Sequence, residues 1–100
     1  MKTHDRDYDI RADYPDFEVI QEHGFRALAE TLDDGRYIVV TNMGGMDLPT
    51  YDDFMVCIYR SEDSFGDDPT VGILGCFSSD RHDDLEDALN AAVWLTLGDP

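Results

Sequence analysis

Lysine is nearly missing from this 100-residue chain. Lys2 is the only one, and with the arginines it makes 7 basic side chains against 23 acidic ones. That scarcity argues against a direct nucleic-acid ligand, because binding phosphates relies on Lys and Arg to neutralise them. An anionic membrane surface is disfavoured on the same grounds. Long apolar runs are missing as well. Nothing approaches the roughly 20 residues of a membrane-spanning helix, and the amino-terminal MKTHDRDYD lacks the apolar centre of a signal peptide. These absences predict a cytoplasmic protein with no membrane partner. Cysteine is scarce too, and neither Cys57 nor Cys76 pairs with His4, His23 or His82 at zinc-ligand spacing. Both thiols lie in apolar, strand-like runs, VCIY and LGCF, and read as buried free cysteines in a reducing compartment, with a disulfide or a reactive pair as the alternative.

What is present is enough to fold. Hydrophobic residues make up 42% of the chain, so a disordered polyanion is excluded although 30% of residues are charged. One hundred residues suit a single domain over 1–100 with one continuous core. The net charge of −16 far exceeds what solubility needs. Such charge repels itself in the compact state, so a separate benefit should maintain it. A cationic partner, adaptation to molar salt and multiple metal ions are the competing explanations.

The pattern along the chain predicts an α+β two-layer domain in the order helix, three-stranded antiparallel sheet, helix (αβββα). In residues 1–13, Tyr8, Ile10 and Ala12 alternate with charged neighbours, as in an extra edge strand or an extended arm. From Asp16 to Leu32, Phe17, Ile20, Ala27, Leu28 and Leu32 recur near the helical period. Asp13 is placed to cap that helix, Pro15 lies in its first turn, Gly24 weakens its middle and Gly35 stops it. Strands are expected at Arg36 to Asn42, Phe54 to Arg60 and Thr70 to Phe77, joined by acidic hairpin loops. Ser79 to Asp84 opens a second helix with the stripe Leu85, Ala88, Leu89, Ala92 and Leu95. Phe54, Val56 and Ile58 should face one way and Met55, Cys57 and Tyr59 the other. Two layers cover only one of those faces, so the second needs the arm, a twin subunit or a partner, and the chain is expected to be a monomer or a dimer.

No catalytic centre emerges. Ser78, Ser79, Asp80 and His82 carry the letters of a hydrolase triad, but a triad is assembled from distant segments, and these residues sit where a helix cap belongs. Asp5, Asp7 and Asp9 resemble the opening of a calcium loop, yet the sixth position is Ile10 instead of Gly and the twelfth is Asp16 instead of Glu. Gly44 and Gly45 follow a strand without the Lys or Ser/Thr of a phosphate loop and read as turn glycines. Glu18 and Glu22, four apart on the expected helix, read as solvated carboxylates. The chain is therefore expected to be no enzyme and to hold no cofactor or metal.

The acidic segments themselves are the candidate site. Asp33 and Asp34 close the expected first helix, where carboxylates oppose the dipole. Asp47, Asp52 and Asp53 occupy the first hairpin loop, and Glu62, Asp63, Asp67 and Asp68 the second. Tyr37, Met46, Leu48, Tyr51 and Phe65 are interleaved as apolar anchors for a charged contact. In size, acidity, compact α/β layout and acidic loops such as YDD, SEDS and GDDP, the chain resembles the phage-encoded anti-CRISPR proteins that inhibit type I surveillance complexes. The resemblance implies carboxylates standing where phosphates would lie, on an inhibitor that binds a Lys/Arg-rich nucleic-acid-binding surface of a CRISPR-Cas complex and blocks recognition of target DNA, in the host cytoplasm. A halophilic accessory domain and an immunity protein neutralising a nuclease toxin are the alternative readings.

Overall fold

The computed structural model of the chain describes residues 14–22, 24–50, 52–67 and 72–96. The expected arm at 1–13 and the Asp5, Asp7, Asp9 segment lie outside the described residues. The fold is α+β. Strands β1 (Glu18–Glu22), β2 (Phe25–Thr31), β3 (Tyr37–Thr41) and β4 (Met55–Tyr59) are followed by helix α1 (Glu62–Asp67), strand β5 (Ile73–Ser78) and helix α2 (Leu85–Leu95). The five strands form one open sheet in the order β1-β2-β3-β4-β5, each antiparallel to the next.

The three expected strands are present as β3, β4 and β5, and α2 packs on the sheet against β4 and β5. The expected helix from Asp16 to Leu32 is instead the hairpin β1–β2. Gly24 lies in its turn at φ 87, a conformation costly for residues with a Cβ, and Glu22 pairs with Phe25 across a two-position connection. The segment RALAET has strong intrinsic helix formers. Its ladder to β3 overrides them, and Ala27, Leu28 and Ala29 are all buried, as in a strand covered on both faces.

Gly35 does not stop a helix. It sits at φ 96 in the turn between β2 and β3, where its N–H donates to Leu32 O (2.9 Å) and Leu32 N–H donates to Arg36 O (2.8 Å). The same tolerance of positive φ is used for a hairpin rather than a helix end. The buried Arg36 side chain then ties this turn to the last turn of α2. Its Nη1 donates to Val93 O (2.8 Å) and to Thr96 Oγ1 (2.6 Å), and that hydroxyl donates onward to Ala92 O (2.6 Å). A cation bonded to the carbonyl end of a helix complements its dipole.

The core has two parts, one on each sheet face. On the α2 side, Leu28, Ile38, Val40, Phe54, Val56 and Ile58 meet Leu85, Ala88, Leu89 and Ala92. Full burial of the Val, Leu, Ile and Phe side chains among them contributes about 1.5–3 kcal/mol each. Leu95, expected in the stripe, is 74% exposed, and Thr96 is buried in its place through its bond to Arg36. On the opposite face lie Ala27, Ala29, Tyr37, Val39, Cys57 and Tyr59. The alternation read for β4 therefore holds.

Part of the cover for that second face comes from within the chain. The expected irregular loop after β4 contains α1, and its Phe65 packs against Phe25, Tyr37 and Tyr59, with ring centroids 6.4, 5.6 and 5.0 Å apart. A bulge at Ile58/Tyr59 shifts the β5 register so that Ile73 joins this face while Leu74 joins the α2 side. Gly72 leads into β5 beneath α1, where a Cβ would collide with Ser64.

Candidate functional site: an acidic basin at one end of the sheet

In a simple antiparallel meander, successive connections alternate between the two ends of the sheet. The β1–β2 turn and the β3–β4 loop share one end, as the bond from Arg26 N–H to Met46 O (3.0 Å) shows. The start of β1, the β2–β3 turn and the β4–β5 connection share the other. The nine acids singled out in the sequence are divided accordingly. Asp47, Asp52 and Asp53 stand at the first end. Asp33, Asp34, Glu62 and Asp63 stand at the second, together with the backbone of Asp67. Asp68 lies outside the described residues.

Several of these carboxylates have structural partners. Asp34 accepts from the Arg36 backbone N–H (3.1 Å) and from Arg36 Nε (2.8 Å), and pairs with its Nη2 (2.8 Å). The backbone N–H of Arg36, reinforced by its guanidinium, holds the Asp34 carboxyl below the usual range. Asp34 is thus a hairpin element, not an acid placed unfavourably at a helix end. Asp47 accepts from Leu48 N–H (2.7 Å) and pairs with Arg26 (2.6 Å to Nη2), and these bonds lower its pKa as well. Asp53 accepts from Met43 N–H (2.8 Å). The β3–β4 loop is therefore internally braced. Gly45, at φ 76, completes its turn as expected for a turn glycine.

The other end is arranged differently. Asp16, Glu18, Glu30, Asp33 and Glu62 line a concavity of about 500 Å³ with Ala29, Thr31 and Tyr37, and among the described residues no basic side chain belongs to its walls. The five carboxylates come from the lead into β1, from β1 and β2, from the β2–β3 turn and from the first turn of α1. Burial, then repulsion from Asp16 and Asp33, pushes the Glu30 carboxyl above its ordinary range. The acids converge without being close enough to chelate. Among the described residues no group of three or more His, Cys, Asp or Glu is placed to hold a metal ion.

Two of the nine sequence candidates, Asp33 and Glu62, line this basin, and three of its members were missed. Glu18 read as one of a solvated helical pair with Glu22. On a strand the two stand at opposite ends of β1, opposite Ala29 and Phe25. Asp16 and Glu30 carried no separate signal, because their convergence depends on the hairpin that replaced the helix.

Ser79 and His82 make separate contacts. Ser79 Oγ accepts from Phe54 N–H (3.2 Å), which extends the β4–β5 ladder. Asp84 is the N-cap of α2, accepting from Asp87 N–H (2.8 Å), and His82 Nδ1 meets Asp87 Oδ2 at 2.8 Å. The cap expected of Ser78, Ser79, Asp80 and His82 is instead Asp84, while Ser79 serves the β4–β5 ladder and His82 pairs with the first turn of α2.

Cys57 is buried, as expected. Cys76 is exposed, contrary to expectation, because β5 is an edge strand. No helix among the described residues is long and apolar enough to cross a membrane. No family model, curated protein or solved structure matches the chain.

Proposed function

We propose that the protein is an acidic inhibitor that binds a Lys/Arg-rich, nucleic-acid-binding surface of a CRISPR-Cas surveillance complex through the basin end of its sheet, and so blocks recognition of target DNA. The observation that carries this reading is the convergence of Asp16, Glu18, Glu30, Asp33 and Glu62 on one concavity whose walls, among the described residues, hold no cation. Carboxylates left without counter-charges repel one another, and a basic surface relieves that repulsion on contact. Each exposed ion contact is weak, about 0.2–1 kcal/mol, but several act together at a partly desolvated interface and remain sensitive to salt. The opposite end is a poorer candidate, since Asp47 and Asp53 already have partners.

The test is order-of-addition binding to a crRNA-guided type I complex. The protein is expected to bind before target DNA arrives, to fail against the DNA-loaded complex, and to bind more weakly as salt rises. Reversing Asp33 with Glu62 (D33K with E62K) should weaken binding at least tenfold, whereas reversing Asp52 with Asp53 should leave it within about threefold. Circular dichroism on each variant checks the fold. Equal affinity for all variants, or affinity indifferent to salt, rejects the anionic-surface mechanism.

A further inference from the structure

Cys57 and Cys76 occupy directly paired positions on β4 and β5, on the same sheet face, with their sulphurs 2.7 Å apart. Both are free thiols, and their environments differ. Cys57 lies in the sheet interior, where it forms part of the wall of an apolar pocket of about 290 Å³ with Phe25, Met46, Met55, Tyr59 and Phe65. Cys76 lies on the edge strand and is exposed to solvent. Neighbouring antiparallel strands hold paired Cα atoms about 4.5–5.5 Å apart, within the span a disulfide bridges. The two thiols need no backbone rearrangement to join.

We infer that this pair is a thiol–disulfide exchange site for low-molecular-weight disulfides, in which exposed Cys76 attacks first and buried Cys57 resolves the mixed disulfide. In the first step the Cys76 thiolate attacks one sulphur of a small disulfide RSSR. The bond between Cys76 and that sulphur forms as the RS–SR bond breaks, and RS⁻ leaves. In the second step Cys57 loses its proton and attacks the Cys76 sulphur, expelling the second RS⁻. The two protein thiols supply two electrons, RSSR is reduced to two thiols, and the two protons released by the cysteines balance those the leaving groups take up. The product is a cross-strand disulfide joining β4 to the edge strand.

The chemistry of the two sulphurs suits those roles. With Cys57 as the donor, the contact between the two sulphurs favours a thiolate at Cys76 and holds that thiol below its ordinary range. The same contact, together with burial, pushes the Cys57 thiol up, which keeps it protonated until Cys76 has been consumed. The net charge of −16 also selects among disulfides. A dicationic disulfide is drawn to the protein and an anionic one is repelled, a difference that salt removes.

The experiment follows the reaction of the full-length chain with cystamine, a dicationic disulfide, and with glutathione disulfide, an anionic one, by intact mass and peptide mapping. With cystamine the native chain is expected to pass through a transient adduct on Cys76 to a species lighter by two hydrogens, with Cys57 joined to Cys76. Glutathione disulfide should react at least tenfold more slowly at low salt, with the gap closing at high salt. Cys57→Ser should accumulate a lasting adduct on Cys76, and Cys76→Ser should react at least tenfold more slowly than the parent. The native chain alone suffices if either variant misfolds. Initial modification at Cys57, an adduct that never resolves, or equal rates for native and urea-unfolded chains would overturn the assignment.

Discussion

At the scale of single residues, the carboxylates fall into two classes with opposite pH behaviour. Glu30 has a folded pKa raised above its ordinary 4.5, so the native state holds that proton more tightly than the unfolded chain does. Ionised Glu30 therefore lowers stability at neutral pH, and the cost fades as pH falls through the raised value. Asp34 and Asp47 have folded pKa values below the ordinary 3.8, so they stabilise the fold above that value and lose the contribution as pH drops through their lowered ones. Glu30→Gln should accordingly raise Tm at pH 7 and match the parent near pH 4. The gain is small, about 0.5 kcal/mol or some 2–4 °C, because Glu30 is largely solvated and its interactions are screened. Asp34→Asn should do the reverse, lowering Tm at pH 7 and converging with the parent in strong acid. Thermal melts by circular dichroism across this range check both signs. None of these environments was legible in the sequence, where Asp33 and Asp34 are adjacent and look alike. One bonds Arg36 and its neighbour lines the basin.

At the scale of elements, the decisive segment is Asp16 to Leu32. Its apolar spacing fits a helix, and in a helix the interior Gly24 is a defect, so Gly24→Ala would stabilise the chain by about 1 kcal/mol. In the hairpin the same residue sits at φ 87 with open space around its missing side chain. There Gly24→Ala should destabilise by about 1–2 kcal/mol from backbone strain alone, and Gly24→Asn, which tolerates the left-handed region, by less. Urea midpoints for the two variants read the sign directly. The remaining elements were easier to see. VCIY and YIVV are dense in β-branched and aromatic residues bounded by turn residues, and Leu85, Ala88, Leu89 and Ala92 follow the helical period behind an acidic cap. Helix α1 was hidden because EDSFGD is short and has one large apolar residue. Phe65 places it over Tyr37 and Tyr59, far away in sequence.

At the scale of the whole molecule, charge and size set the response to salt. The described residues extend 44 × 29 × 23 Å. The screening length is about 30 Å at 0.01 M salt, so nearly every carboxylate then feels every other, whereas at 0.15 M it is about 8 Å and only neighbours interact. Tm should therefore rise as salt increases over this range, by several degrees if the relief reaches about 1 kcal/mol. Partner binding should weaken over the same range. Differential scanning calorimetry and binding isotherms in matched buffers separate the two trends, and a Tm independent of salt would show that the acids are not mutually repulsive. What the sequence determined by itself was whatever depends on near neighbours: the net acidity, strands β3 to β5, the alternating faces of β4, the apolar stripe of helix α2 from Leu85 to Ala92, and the turn at Gly44 and Gly45. The tertiary structure decided what depends on distant pairing. Local propensity favours a helix over RALAET, and only the ladder to β3 and burial of both faces make it a strand. That change alters which connections share an end of the sheet, bringing Asp16, Glu18 and Glu30 to Asp33 and Glu62. The register of β4 with β5 sets Cys57 beside Cys76 across 19 positions of sequence, a proximity that no local pattern encodes.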